Sequence, residues 1–226
     1  MIEIEHLELV GSTQDVMKER LSSLDPGKIT AITAKEQTAG RGREGRAFRS
    51  PPGGLYMTAA LHIEGPLQKH IALSLLVGLA ISRLIPKIRL KWPNDLLIDH
   101  KKVGGILIET RAPWWLVGIG INQTTPLQHL EGLDRPVTTL VQEKADLLSL
   151  DRKILESLQA MLPQFLSEGF APFQKEYLEK SAYALGSEII VRGHGVCIFE
   201  GITSEGELSV RVGEKREDLN FGEICF

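Results

Sequence analysis

The stretch Gln37-Thr-Ala-Gly-Arg-Gly-Arg-Glu-Gly-Arg46 decides how the fold is interpreted. Its glycines, Gly40-x-Gly42-x-x-Gly45, match the dinucleotide-binding fingerprint, and a β-like segment, Ile29–Lys35, precedes them. That fingerprint requires a helix to begin at the loop, because the helix N-terminus must face a pyrophosphate. Here two prolines and two glycines occupy positions 51–54 and prevent a sustained helix. The sequence therefore predicts a flexible loop that brings N–H groups and arginines onto an anion, or else a solvated basic loop.

Length and composition limit the class of protein. The 226 residues fit one medium domain, or one domain with a small appendage. A net charge of −3 gives no global positive field for nucleic acid, and the acidic N-terminus is not a signal peptide. The apolar run at 71–85 is too short to cross a bilayer. Cys197 and Cys225 form no disulfide framework, which indicates the cytoplasm. The histidine and cysteine spacings argue against a protein-only transition-metal site.

Hydrophobic periodicity predicts a mixed α+β domain followed by a small β module. A helix is expected from Ser12, as N-cap with Asp15 at the capping-box position, to about Leu24. Residues 123–143 are loop-like. The other predicted helices are Leu67–Ile85, Leu150–Ser167 and Phe170–Tyr183, and the strands are Ile29–Lys35, Leu55–Ile63, Arg89–Trp92, Leu96–Ile98, Val103–Glu109 and Trp114–Ile121. A composition shift near Leu185 precedes a predicted antiparallel barrel of Glu188–Arg192, Val196–Ile202, Glu207–Val212 and Leu219–Phe226.

Lys91-Trp92-Pro93-Asn94-Asp95 stands at the end of a predicted strand. Proline fixes the turn and leaves the amide of Asn94 and the carboxylate of Asp95 in a defined geometry. Such a pair suits a hydroxyl, a hydrated Mg²⁺ or a phosphate-bound metal. An Asx turn without a ligand is the alternative.

Two predicted strands are rich in glycine. Gly104-Gly105 follows Lys102, and Val117-Gly-Ile-Gly-Ile-Asn122 leaves one face bare at Gly118 and Gly120. Glycines inside strands mark the close approach of a ligand or another backbone, so a narrow slot for a compact ring system is expected. Lys102 is either a surface lysine or a charge that reaches into this slot. Because no nucleophile–base pair is evident, the pattern favours transfer catalysed by positioning and charge stabilisation.

In order along the chain, these blocks resemble the signature blocks of biotin–protein ligases. Ser12-Thr13-Gln14 upstream and Gly222-Glu-Ile224 at the close also fit, so the resemblance covers nearly the whole chain. It implies a class II aminoacyl-tRNA synthetase-like catalytic fold, with a mixed sheet and packed helices over 1–183, and an SH3-like barrel over 184–226. It also implies synthesis of biotinyl-5′-AMP from biotin and MgATP, followed by transfer of biotin to a lysine of a biotin carboxyl carrier protein.

The resemblance further implies roles for individual residues. Arg43 and Lys102 would be catalytic, and Asp95 would have a weak part in holding Mg²⁺ through the ATP phosphates. The biotin-binding set would be Ser12, Thr13, Gln14, Gln37, Gly40, Arg41, Gly42, Arg43, Lys102, Gly104, Gly105 and Gly118. The ATP-binding set would be Arg43, Arg46, Phe48, Lys91, Asn94, Asp95, Lys102 and Asn122.

Two positions depart from the family pattern: Gln14 stands where asparagine is usual, and Phe48 where tryptophan is usual. Phe48 can still stack on adenine but lacks the indole N–H, and the Gln14 amide lies one methylene further out. The chain is expected to lack the N-terminal DNA-binding domain of some relatives, to bind no nucleic acid or membrane, and to be compatible with a homodimer. A lipoate or octanoyl transferase and a non-catalytic binding module are the alternatives, and a DNA-binding repressor is disfavoured.

Overall fold

A computed structural model describes residues 1–64, 70–133, 135–140 and 149–225 of the chain. The chain forms two compact units. The first comprises Met1–Gln68 and Lys101–Glu156, and the second comprises Lys69–His100 and Ser157–Phe226. The predicted domain boundary between residues 183 and 184 is not a boundary between these two units, and it stays a prediction.

The secondary structure contains both strands and helices up to Lys180 and ends in strands. The strands are β1 (Ile2–Val10), β2 (Ile29–Gln37), β3 (Gly54–His62), β4 (Arg89–Lys91), β5 (Asp95–Ile98), β6 (Lys101–Arg111), β7 (Trp114–Asn122), β8 (Glu188–Val191), β9 (Gly195–Ile202), β10 (Leu208–Val212) and β11 (Lys215–Leu219). The helices are α1 (Thr13–Arg20), α2 (His70–Leu84), α3 (Leu150–Glu168) and α4 (Gln174–Lys180). Short 3₁₀ turns cover Leu21–Ser23, Arg43–Gly45, Leu127–Leu130 and Ala171–Phe173.

The first unit contains a mixed sheet in the order β1-β2-β3-β7-β6. β1 runs parallel to β2, and the remaining pairs are antiparallel. Helix α1 inserts Met17, which is fully buried, into an apolar cluster with Ile32, Ala60, Trp114 and Leu116. Because removing a buried methionine side chain costs about 2–5 kcal/mol, this cluster fixes α1 against the sheet. The first residues of α1 are thereby held at a constant position relative to β2, β3 and β7.

The second unit combines a buried helix with an antiparallel sheet. Helix α2 is apolar on all sides, and its residues from Ala72 to Ile81 are almost entirely buried, as such a helix requires. β4 and β5 form an antiparallel pair. The sheet β8-β9-β10-β11 is antiparallel throughout and is consistent with an SH3-like domain.

The predicted fold class is confirmed, and most predicted elements occur within a few residues of their expected bounds. Helix α4 is shorter than the predicted Phe170–Tyr183, because a 3₁₀ turn takes up Ala171–Phe173 and the helix ends at Lys180. Positions 65–69, 134 and 141–148, which include the start of the predicted Leu67–Ile85 helix and the end of the 123–143 loop, lie outside the described residues. Within the described residues, no helix is long and apolar enough to cross a membrane.

Three expectations about local structure were wrong or incomplete. β1 was not predicted, although it pairs along most of its length with β2. The last strand is Lys215–Leu219, not Leu219–Phe226, because a highly charged segment pairs with β10 and only Ile224 bridges back to Val191. Ser12 has the extended backbone of an N-cap, with φ of −153°, but its side chain makes no capping hydrogen bond, so the capping box is absent.

Candidate active site

The start of α1 presents three buried polar residues on the mixed sheet. Ser12, Thr13 and Gln14 are 1%, 3% and 3% exposed. Thr13 is fully bonded: its backbone N–H and its hydroxyl donate to Gln37 Oε1 at 2.8 and 3.1 Å, and the hydroxyl lies 2.8 Å from that of Thr58. Within the described residues, Ser12 Oγ and Gln14 Oε1 have no hydrogen-bond partner. An unpaired buried polar atom costs about 1–3 kcal/mol, so a ligand that satisfied these two oxygens would gain that energy.

Gln37 connects the start of α1 to the loop that follows β2. Its Nε2 donates to Ser50 Oγ at 2.8 Å, and Ser50 Oγ donates to the carbonyl of Phe48 at 2.9 Å. Both ends of the Gln37 amide are therefore engaged with the protein, and its predicted contact with biotin stays a prediction. Sequence reasoning missed Thr58 and Ser50. A buried threonine in an apolar strand, as at Thr58, was the available signal.

The glycine-arginine stretch forms a hydrogen-bonded hairpin, which we call the arginine hairpin (residues 37–50). Isolated bridges join Gln37 to Ser50 and Arg41 to Ala47. The N–H of Phe48 donates to the Gly40 carbonyl at 2.8 Å, and a Cβ on Gly40 would lie 2.4 Å from the Phe48 carbonyl oxygen. Only glycine fits there. The expected absence of a helix after this stretch is confirmed, but the stretch has more internal order than a flexible loop.

The arginines of this hairpin have different surroundings. Arg41 Nη2 donates to Asp15 Oδ2 on α1 at 2.7 Å. At the tip, Arg46 Nε donates to the Arg43 carbonyl at 3.3 Å, and Glu44 takes up a left-handed conformation with φ of 56°. Arg43 and Arg46 are half-buried. The tip therefore carries two guanidinium groups on a tightly turned backbone, which suits an anionic ligand.

The glycines of β7 receive two of the predicted ligand-binding side chains. A Cβ on Gly118 would lie 2.9 Å from Gln14 Nε2, which donates to the Leu107 carbonyl at 3.3 Å. A Cβ on Gly120 would lie 2.5 Å from the Phe48 ring. Phe48 also packs edge-to-face on Tyr56, with ring centroids 6.4 Å apart. The bare face expected at these glycines is thus filled by Gln14 and Phe48, the two residues that depart from the family pattern.

Strands β6 and β7 place Lys102 and Asn122 beside residues 136–140. Lys102 is half-buried; its N–H donates to the Pro136 carbonyl at 2.9 Å, and its carbonyl accepts from the N–H of Thr138 at 2.9 Å. Asn122 Nδ2 donates to the Thr138 carbonyl at 3.2 Å. Its Oδ1 is buried and has no hydrogen-bond partner in the described part of the chain. Gly104 and Gly105 pair with Ile121 and Gly120. Sequence reasoning treated 136–140 only as loop and missed this support.

The remaining predicted site residues lie in the second unit. Lys91 Nζ donates to Asp95 Oδ2 at 3.2 Å, with the two side chains 0% and 6% exposed. Burial raises the pKa of the Tyr177 hydroxyl, and the Asp95 carboxylate raises it further. Lys91 and Asp95 therefore form a buried ion pair inside the unit. Asn94 is half-buried in the turn between them.

Hydrogen bonds from α2 and from the β9–β10 turn fix the turn of β4 and β5. Ser74 Oγ donates to the Pro93 carbonyl at 3.0 Å, and the Trp92 indole N–H donates to the Gly206 carbonyl at 3.0 Å. The Trp92–Pro93 peptide is cis. The described residues contain no group of three or more His, Cys, Asp and Glu side chains that could hold a metal. A single carboxylate shared with a lysine does not fit a protein-held Mg²⁺, and the Mg²⁺ role of Asp95 stays a prediction.

The first unit is thus an α+β domain with features typical of small-molecule-binding sites. These are glycine-rich strands, an arginine hairpin and polar atoms at a helix start that have no hydrogen-bond partner among the described residues. Comparison with known proteins narrows this class. The model of the biotin/lipoate A/B protein ligase family matches residues 7–122, which include every part of the site in the first unit except residues 136–140. The chain belongs to this family.

Individual relatives agree with this assignment. The chain is 32% identical to the bifunctional ligase/repressor BirA of Bacillus subtilis, over 92% of its own length and 69% of the relative. It is 31% identical to the biotin–[acetyl-CoA-carboxylase] ligase of Paracoccus denitrificans, over 86% and 89%. Of the Escherichia coli BirA protein it spans 56%. The biotin protein ligase from Aquifex aeolicus, solved with biotin and ATP, superposes with a TM-score of 0.78 at 31% identity, over 99% of this chain and 97% of that one.

Proposed function

We propose that this chain is a biotin–protein ligase, which forms biotinyl-5′-AMP and transfers biotin to a lysine of a biotin carboxyl carrier protein. Membership of the family and the names of its relatives support this proposal. The observation that carries it within the molecule is the pair of buried oxygens of Ser12 and Gln14 at the start of α1, which have no hydrogen-bond partner in the described part of the chain. These atoms belong to the same unit as the arginine hairpin.

The two oxygens suit a neutral cyclic urea. A serine hydroxyl can donate to a urea carbonyl, while a glutamine Oε1 can accept from a urea N–H. An anionic ligand would leave Gln14 Oε1 facing a second acceptor. The arginine hairpin has the opposite character, because its guanidinium groups suit a carboxylate and phosphates. A molecule with a ureido ring at one end and a carboxylate at the other matches this division.

The proposed chemistry requires no nucleophile from the protein. A carboxylate oxygen of biotin attacks the α-phosphorus of ATP and expels pyrophosphate; the carrier amine then attacks the acyl carbon and expels AMP. Arg43 and Lys102 would stabilise negative charge in both steps. Arg46, Phe48, Lys91, Asn94, Asp95 and Asn122 keep their predicted ATP-side roles as proposals. Mg²⁺ would enter with the nucleotide substrate.

The wider setting is also a proposal. The relatives' names support a biotin-accepting domain of a carboxylase as the protein partner. Both cysteines are free thiols, which supports a reducing compartment such as the cytoplasm. The SH3-like domain over 184–226 and a homodimer remain predictions.

The deciding experiment separates the ligase from its two rivals. The protein is incubated with MgATP and either biotin or lipoate, and pyrophosphate and the acyl-adenylate are measured, the latter by mass spectrometry. We expect both products with biotin, and biotinylation of a carrier domain when it is added. Products with lipoate but not with biotin would identify a lipoate ligase. Biotin binding without release of pyrophosphate would identify a binding module.

A further inference from the structure

A chain of opposite charges runs from strand β6 through α1 to the arginine hairpin. Lys18 Nζ lies 2.8 Å from Glu109 Oε2 and 3.6 Å from Asp15 Oδ1. Asp15 Oδ2 in turn accepts from Arg41 Nη2 at 2.7 Å. Side-chain exposure rises along this chain, from 18% for Lys18 and 28% for Glu109 to 38% for Asp15 and 49% for Arg41. The less exposed pair, Lys18 and Glu109, is therefore anchored in the fold, while the more exposed pair, Asp15 and Arg41, holds the hairpin.

Asp15 is well suited to fix the hairpin. It belongs to the first turn of α1, where a carboxylate also interacts favourably with the helix dipole. Lys18, three residues further along, lies 3.6 Å from the other oxygen of the same carboxylate, Oδ1. Arg41 pairs with Ala47 across the hairpin, so a fixed Arg41 side chain restrains both of its strands.

The ion pair leaves Arg41 able to bind something else. Among the described residues, only its Nη2 donates to a protein acceptor. A guanidinium group has five donor hydrogens, so the Nε and Nη1 donors can still reach a carboxylate or phosphate oxygen. Asp15 can therefore orient Arg41 without competing for all of its donors.

We infer that Asp15 is a positioning residue, which holds Arg41 and the arginine hairpin against α1 before any ligand binds. Asp15 acts through Arg41 and does not touch the substrate. Its consequence for catalysis, slower escape of the acyl-adenylate, rests on the proposed function. The positioning itself does not, because it concerns the ligand-free chain.

The first test measures opening of the hairpin without ligand. Glu44 at the tip is a cleavage site for a glutamate-specific protease, and the rate of cleavage there tracks the population of the open hairpin. Asp15→Asn should speed cleavage at Glu44 about two- to five-fold, the range of a partly exposed ion pair. Asp15→Glu should restore most of the protection. The matched control is Glu8→Gln, which removes an equally charged member of an exposed pair with Lys35 and should change nothing.

Two further measurements separate an ion pair from a general effect on α1. In an Arg41→Gln background, Asp15→Asn should have no additional effect on cleavage at Glu44. Added salt should speed this cleavage more in the parent and in Glu8→Gln than in Asp15→Asn, because salt screens the ion pair that Asp15→Asn lacks. The inference would be overturned if Asp15→Asn sped cleavage equally in the Arg41→Gln background. It would also be overturned if the Asp15→Asn single variant were cleaved at Glu44 at the rate of the parent.

The last measurement addresses the consequence. After a single turnover with biotin and MgATP, the acyl-adenylate should leave Asp15→Asn about two- to five-fold faster than it leaves Glu8→Gln. Equal release rates, with a parent that makes the adenylate, would refute the catalytic consequence alone. A parent that makes no adenylate would refute the proposed function, while the cleavage measurements would still decide whether Asp15 positions the hairpin.

Discussion

The start of α1 and the turn between β4 and β5 both carry predicted ligand contacts, yet they differ in whether their buried polar atoms are hydrogen-bonded within the protein. At the start of α1, Ser12 Oγ and Gln14 Oε1 are buried without partners in the described part of the chain. At the turn, Lys91 and Asp95 are equally buried but bond to each other. Membership of a signature block therefore does not by itself identify a ligand contact. The state of hydrogen bonding distinguishes a region that lacks a partner from one that supplies its own.

The largest expected effect comes from breaking the internal pair. Lys91→Met should lower the free energy of unfolding by about 3–5 kcal/mol, because removing one member of a buried ion pair costs about that much. Adding Asp95→Leu should recover most of that loss. Urea unfolding measures both, and Lys35→Met, which removes one member of an exposed pair with Glu8, is the control. If Lys91→Met cost no more than the control, the pair would not be a structural element.

Lys102 tests the ligand side of the comparison. It is half-buried and lies close in sequence to Gly104 and Gly105, whereas Lys91 is fully buried. Lys102→Ala should reduce biotinyl-adenylate formation about ten- to hundred-fold, the value of a charge-assisted hydrogen bond, with little change in stability. Pyrophosphate release measures the effect. The exposed neighbour Lys101→Ala is the control, and equal rates in the two variants would make Lys102 a surface lysine.

Gly120 tests whether Phe48 belongs to the packing of the site. Gly120→Ala should destabilise the protein by about 1–3 kcal/mol, because the new methyl group would overlap the Phe48 ring. The additional change Phe48→Leu should reduce this cost, since a smaller side chain leaves room. Thermal and urea unfolding of both variants check this. A Gly120→Ala protein as stable as the parent would show that Phe48 moves away without cost.

Ser12→Ala is the smallest expected change: it should weaken biotin binding without destabilising the fold. Because its side chain caps no helix and its buried hydroxyl has no partner among the described residues, Ser12→Ala should not lower the free energy of unfolding, whereas loss of a true cap lowers it by about 1 kcal/mol. Biotin affinity should fall about two- to ten-fold, as for one hydrogen bond. Calorimetry measures the affinity, with Ser23→Ala as control. A large loss of stability with unchanged affinity would return Ser12 to a capping role.

Much of the site could be predicted from the sequence, and the failures have a common cause. The glycine-arginine stretch, the glycine-rich strands and the block Lys91–Asp95 were all recognisable from local spacing, although the stretch was expected to be a flexible loop and forms a hairpin. The engagement of Gln37 with Thr13 and Ser50 was not, because it joins three separate elements. β1 was missed since its short acidic alternation gives a weak signal until it pairs with β2.

The class of fold, the burial of α2 and the lack of a helix after the arginine hairpin could all be predicted from the sequence. These features depend on propensities and periodicity within a few residues. Long-range packing determined that Gln14 lies over Gly118, that Phe48 covers Gly120, and that Ser12 Oγ, unlike Lys91, has no hydrogen-bond partner among the described residues. The physical reason is that satisfaction of a buried polar atom depends on groups far away in sequence, as with Gln14 and the Leu107 carbonyl, 93 residues apart.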